Sequence, residues 1–257
     1  MRPNCPIVAV LLAAFVLAAG VVGAASLREG EPGPEDVAIR VDGVEVTFAE
    51  LELRRDAGLA AASVMQRLVD GEDFGLPPES FEQMRLFRDL FAPLRQAEDP
   101  AAFVTNAVAA AAARADALQA GLSEEAVAAR LEITLQSHEV IMEPEAEALA
   151  FPREMREAQI AAVGEKRFVE DYLLLQARDG LAREILAEGM DLEPQEMGVV
   201  LMTLALRSAD DADIWLHPSL DVSEEQVRES LRLQIAQQEA VARLSELLIE
   251  DSPAIDD

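Results

Sequence analysis

The chain has 257 residues, a formal net charge of -28 and 51% hydrophobic residues. That hydrophobic share can bury a core and excludes wholesale disorder, while so negative an envelope repels phosphate backbones and makes nucleic acid an unsuitable partner. The single cysteine, Cys5, excludes an internal disulfide and a cysteine metal site, and an aromatic content of 4% beside abundant Ala and Leu favours a mainly α fold.

In chain order, residues 1–25 come first. The run from Pro6 to Ala25 is uncharged, is preceded only by Arg2, and reads as an export segment. Small residues at Val22, Gly23, Ala24 and Ala25 suit cleavage, yet the run also approaches the ~20 apolar residues of a bilayer-crossing helix. A cleaved signal peptide and a retained membrane anchor both fit, and either puts the body in an extracytoplasmic place, periplasmic or cell-surface. Residues 26–36, rich in Gly, Pro and acid, read as a linker.

Val37 to Val41 and Val44 to Thr47 flank Asp42-Gly43, a dipeptide suited to a tight hairpin. Thr47 and Glu50 have capping-box spacing, opening a helix to about Asp70 with Gly71 as its stop. Pro77-Pro78 opens a second helix whose Phe81, Met84, Phe87 and Phe91 recur at three- and four-residue steps. This stripe faces either the protein's own core or an exposed groove for client chains, since Phe and Met adapt to varied apolar surfaces.

An alanine-rich helix follows from Pro100 to about Ala120, ending at Gly121, and Ser123 caps another that runs to about Met142 before Pro144. Beyond Pro152 a helical stretch breaks at Gly164, and an amphipathic helix continues from Glu165 to Glu188. A further helix spans Pro194 to Ser208, Asp213 to His217 alternates as a short strand, and Ser223 with Gln226 opens a last helix to about Glu250. Its Val227, Leu231 and Ile235, with Leu244 and Leu248, either complete the core or pair with another chain as a homodimer. The segments 121–131 and 221–231 echo one another, a pattern that any well-capped amphipathic helix needs.

No phosphate loop, dinucleotide glycine pattern, helix-borne zinc motif or hydrolase elbow occurs, so no catalytic residue and no cofactor is expected. His138 and His217 are the only histidines. His138 has Glu143, Glu145 and Glu147 nearby, but its plainer reading is a solvated helix end, not a metal ligand. Asp210, Asp211 and Asp213 lack the spacing of a calcium loop.

The run Val41-Asp42-Gly43-Val44-Glu45-Val46-Thr47-Phe48-Ala49-Glu50-Leu51 resembles V-N-G-x-x-I-T-x-x-E-L, the opening of the SurA N-terminal chaperone family, shared with PrsA-like and PpiD-like foldases. ALQAGLSEEAVAARLE at 117–132, FVEDYLLLQARDGLAREIL at 168–186 and ALRSADDADIWLHPSL at 205–220 are similar to later parts of that family. The resemblance implies a helical domain over 37–220 in which 213–217 lies beside the 37–47 hairpin. Residues 72–99 have no counterpart and look like an inserted helix, and 221–257 add a C-terminal helix and acidic tail. Many relatives carry a parvulin domain with paired histidines, which this chain lacks, so their isomerase activity is not carried over.

These readings predict an ATP-independent chaperone-like protein that holds unfolded or exported polypeptides, associated with the membrane through residues 1–25 if these are retained. Phe81, Met84, Phe87 and Phe91 are its candidate client-binding residues. A membrane-tethered scaffold or dimerisation module for one dedicated partner is the alternative. Residual peptidyl-prolyl isomerase activity is a third, with no acid, base or nucleophile constellation behind it.

Overall fold

The computed structural model describes residues 32–72, 100–143, 149–190, 192 and 196–250. Segments 1–25 and 73–99, with the stripe of Phe81, Met84, Phe87 and Phe91, lie outside the described residues. Among the described residues no helix is long and apolar enough to cross a membrane.

The fold is mainly helical with one small antiparallel sheet. Strands β1 (Val37–Val41) and β2 (Val44–Thr47) form a hairpin. Its two turn residues, Asp42 and Gly43, have φ of 47° and 82°, the left-handed pair that matches the twist of the flanking strands. Strand β3 (Ile214–Leu216) pairs antiparallel with the other edge of β1, giving the order β2-β1-β3. The late strand thus lies beside the hairpin, the arrangement that the resemblance implies. Alternation sends Ile39, Val41, Val46 and Ile214 into the core. On the outer face the register aligns Glu45, Arg40 and Trp215 in one row. There Arg40 pairs with Glu45 at 2.7 Å, and its guanidinium lies 5.7 Å from the centre of the indole ring.

The described residues also form seven longer helices: α1 (Phe48–Val69), α2 (Pro100–Gln119), α3 (Glu124–Met142), α4 (Ala150–Val163), α5 (Leu173–Met190), α6 (Met197–Asp210) and α7 (Glu224–Glu250). Residues 33–36 already belong to this body: the carbonyls of Asp36 and Pro34 accept from the free amides of Phe48 and Ala49 at the start of α1. Helix α4 begins at Ala150, two residues before Pro152, which the first turn of a helix tolerates. Helix α6 starts at Met197 instead of Pro194, and residues 193–195 lie outside the described residues.

Helix α2 is the hub. Val104, Ala107, Val108, Ala109, Ala111, Ala112, Ala113 and Ala117 are buried, and the helix packs against β1, β2, α5, α6 and α7. An apolar helix buried all round suits this position, because alanine leaves room for neighbours on every side. Val227 and Leu231 of α7 are fully buried and Ile235 packs on the same core. For these three residues the core reading holds; the side chains of Leu244 and Leu248 lie outside the described residues. A second cluster joins Val64, Met65 and Leu68 of α1 to Phe151 of α4.

One charge interrupts the apolar wall of α2. Arg114 is only 3% exposed. Its guanidinium meets Glu50 of α1 at 2.9 Å and comes within 3.8 Å of Asp179 of α5, while Arg54 bonds Glu50 at 2.9 Å and Asp179 at 2.7 Å. Burial alone would raise the Asp179 pKa, but the Arg54 and Arg114 charges outweigh it and hold the carboxylate below its usual range. The expected capping box is therefore half made. Thr47 Oγ1 accepts from the Glu50 amide at 3.2 Å, but the Glu50 carboxylate turns to the two arginines. The second box is complete, with Ser223 and Gln226 bonding reciprocally at 3.2 and 2.8 Å.

Removing one partner of a buried ion network leaves an uncompensated charge, at a cost of about 3–5 kcal/mol. Asp179→Ala should lower the unfolding free energy by that amount in urea titration. Glu45→Ala, which breaks an exposed pair, should cost less than about 1 kcal/mol.

Candidate functional site

Helix α3 is the described element whose apolar residues are least covered. Its start follows from the sequence: Ser123 Oγ accepts from the Ala126 amide at 3.2 Å, and Glu124 and Glu125 sit against the positive helix end. Val127 is its one buried residue, while Leu131, Leu135 and His138 are half-buried on the side that packs on α5, with α4 nearby. Polar ties supplement this contact. Arg130 meets Glu184 of α5 at 2.6 Å, and Arg153 of α4 donates to the carbonyls of Ile141 and Glu143 at the helix end.

The opposite side of α3 carries Ile133 and Val140, 53% and 51% exposed. They stand seven residues apart, two turns of helix, so both lie on one outward strip. With Ala129 and Gln136, also exposed, they form a narrow seam. The strip sets apolar area beside the exposed carboxylates of Glu132 and Glu139.

Beneath α3 lies an aromatic hinge. Gly164, at φ 86°, breaks α4 from the next helical turn (Glu165–Arg167), which passes through a π-helical segment (Phe168–Tyr172) into α5. The Leu173 amide donates to the Phe168 carbonyl, and this wider turn shifts the phase of the side chains before it relative to those after it. Phe168 is fully buried. Its ring centre lies 5.4 Å from those of His138 and Tyr172, and 5.5 Å from the Arg156 guanidinium. His138 Nδ1 is buried without a hydrogen-bond partner. Burial, and secondarily the Arg156 charge, push the His138 pKa below its ordinary value, against the opposing pull of Glu139 and Glu165.

The structure separates the residues that the sequence offered for chemistry. His217 caps a single 3-10 turn through the Ser219 amide and meets Phe48 and Trp215 edge-on, away from His138. Asp210 faces Arg228 and Arg232. Among the described residues no group of three or more His, Cys, Asp or Glu is placed to hold a metal ion. The candidate client residues Phe81, Met84, Phe87 and Phe91 lie outside the described residues. Ile133 and Val140 escaped the sequence reading, although a signal existed: both fall on the face of α3 opposite the stripe of Val127, Leu131 and Leu135.

No family model, no curated protein and no solved structure matches this chain. The likeness to the SurA N-terminal family therefore rests on the short motifs in the sequence.

The neutral, part-buried His138 links stability to pH. The unfolded chain takes up a proton near the usual pKa of about 6.5, before the native state does. Stability is thus unaffected above that pH, falls as pH drops below it, and levels off beneath the native pKa. Denaturant midpoints at pH 7.5 and 5 should differ less in His138→Phe than in the parent chain; an equal difference would show that His138 contributes nothing.

Proposed function

We propose that this protein is an ATP-independent, extracytoplasmic chaperone-like protein that holds unfolded exported polypeptides. The observation that carries the reading is α3, a well-capped helix that leaves two aliphatic side chains, Ile133 and Val140, exposed two turns apart on one strip. Passive holding needs an exposed apolar surface together with an envelope that keeps the loaded complex soluble. The formal charge of -28 supplies such an envelope and favours basic clients. The opening motif at 41–51, its resemblance to the SurA N-terminal family and the apolar run at 6–25 support the same role and its place outside the cytoplasm.

The test is aggregation of an unfolded model protein followed by light scattering. The purified chain should slow it at near-equimolar ratio, with no change on adding ATP. No protection at several-fold excess, together with recovery of one stoichiometric partner in a pull-down, would replace this reading with that of a dedicated scaffold.

A further inference from the structure

The outer face of α3 has chemistry that selects among possible occupants. Ala129, Ile133, Gln136 and Val140 follow one another at steps of four, three and four residues, the spacing of a seam that accepts a second helix. Glu125, Glu132 and Glu139 are exposed and, at steps of seven residues, lie along one flank of that seam, with Glu143 exposed at the helix C-cap. Among the described residues none of these four carboxylates lies in a salt bridge. The nearby cations are engaged elsewhere, Arg130 with Glu184 and Arg153 with the helix-end carbonyls. The later glutamates also stand near the negative end of the α3 dipole, which adds to the local field.

We infer that this seam docks a basic amphipathic helix, a polypeptide segment with apolar residues at three- and four-residue spacing and Lys or Arg along one flank. The inference rests on the polypeptide-holding role and names the kind of segment held. A second copy of this chain is the wrong partner. In an antiparallel pair the two glutamate flanks would face each other, and in a parallel pair Glu132 would meet Ser137 while Glu125 would meet only Arg130, which Glu184 already holds. A lysine-flanked helix buries Ile133 and Val140 and places its charges against Glu125, Glu132 and Glu139.

The probe is a fluorescein-labelled peptide of about 18 residues, five helical turns, with leucines at seam positions and lysines on the flank. Its counterpart carries glutamates in place of the lysines. Fluorescence anisotropy with the full chain should show the lysine peptide binding at least about tenfold more tightly, by an amount that shrinks with added salt. Ile133→Ser with Val140→Ser should weaken it about tenfold, and Glu132→Lys with Glu139→Lys should reverse the preference between the peptides. These positions are exposed, so unchanged circular dichroism and urea midpoints should accompany both effects. Lysine-peptide binding that ignores the seam substitutions overturns the inference, as does a dimer, seen by sedimentation, that Ile133→Ser and Val140→Ser dissolve. Failure of the holding role shows itself differently. If the parent chain does not slow aggregation the role falls, whereas protection that survives the seam substitutions removes the seam alone.

Discussion

A guanidinium group in the middle of an alanine helix must be neutralised where it stands. Arg114 cannot reach water from the centre of α2, so the fold has to bring carboxylates to it. Glu50 comes from α1 and Asp179 from α5, and Arg54 closes the circuit by bonding both. Three helices are thereby held at one register, because sliding α1 or α5 by a turn would strand a buried charge. Alanine packing alone is permissive, since small smooth side chains fit many offsets. The arginines and carboxylates supply the specificity that the alanines lack, and the sheet, α6 and α7 then close over the remaining sides of α2.

Local chemistry was legible in the sequence, and tertiary chemistry was not. The Asp42-Gly43 turn, the serine caps at 123 and 223, and the breaks at Gly71, Gly121 and Gly164 each depend on a few neighbouring residues. They fall where the sequence places them. Glu50 shows the limit. Its spacing from Thr47 is that of a capping box, but Arg114 lies far along the chain, and no local pattern reveals that a buried cation will outbid the backbone amide for its carboxylate. The π-helical turn at Phe168 is similar, since the ring it carries packs against His138 and Arg156, which lie in other helices. The α3 surface is barely legible for another reason: Ile133 and Val140 stand on the polar side of an ordinary amphipathic helix, and single exposed aliphatic residues there are common in any fold.

The two kinds of helix in this protein divide the labour. Along the centre of α2 the apolar side chains are buried and the charge is paired, so opening that region exposes much of the core. Helix α3 depends on one buried valine, a few half-buried contacts and polar ties at its margins. It belongs to the part of a fold that can yield locally without global unfolding. Neither the ion pair Arg130–Glu184 nor the ties of Arg153 share a residue with the arginine network of Arg54 and Arg114.

The central strand of the sheet finds its two neighbours at opposite ends of the body. β2 follows β1 after a two-residue turn, whereas β3 arrives only after α1 through α6 have been made. Synthesis proceeds from the N-terminus, so β1 spends that interval with one edge unpaired, and the Asp42 carboxylate waits as long for the Ser208 hydroxyl that later bonds it at 2.5 Å. An open strand edge invites pairing with any extended chain nearby. Docking of strand 214–216 therefore does more than complete a sheet: it covers the one edge of β1 at which a foreign strand could add.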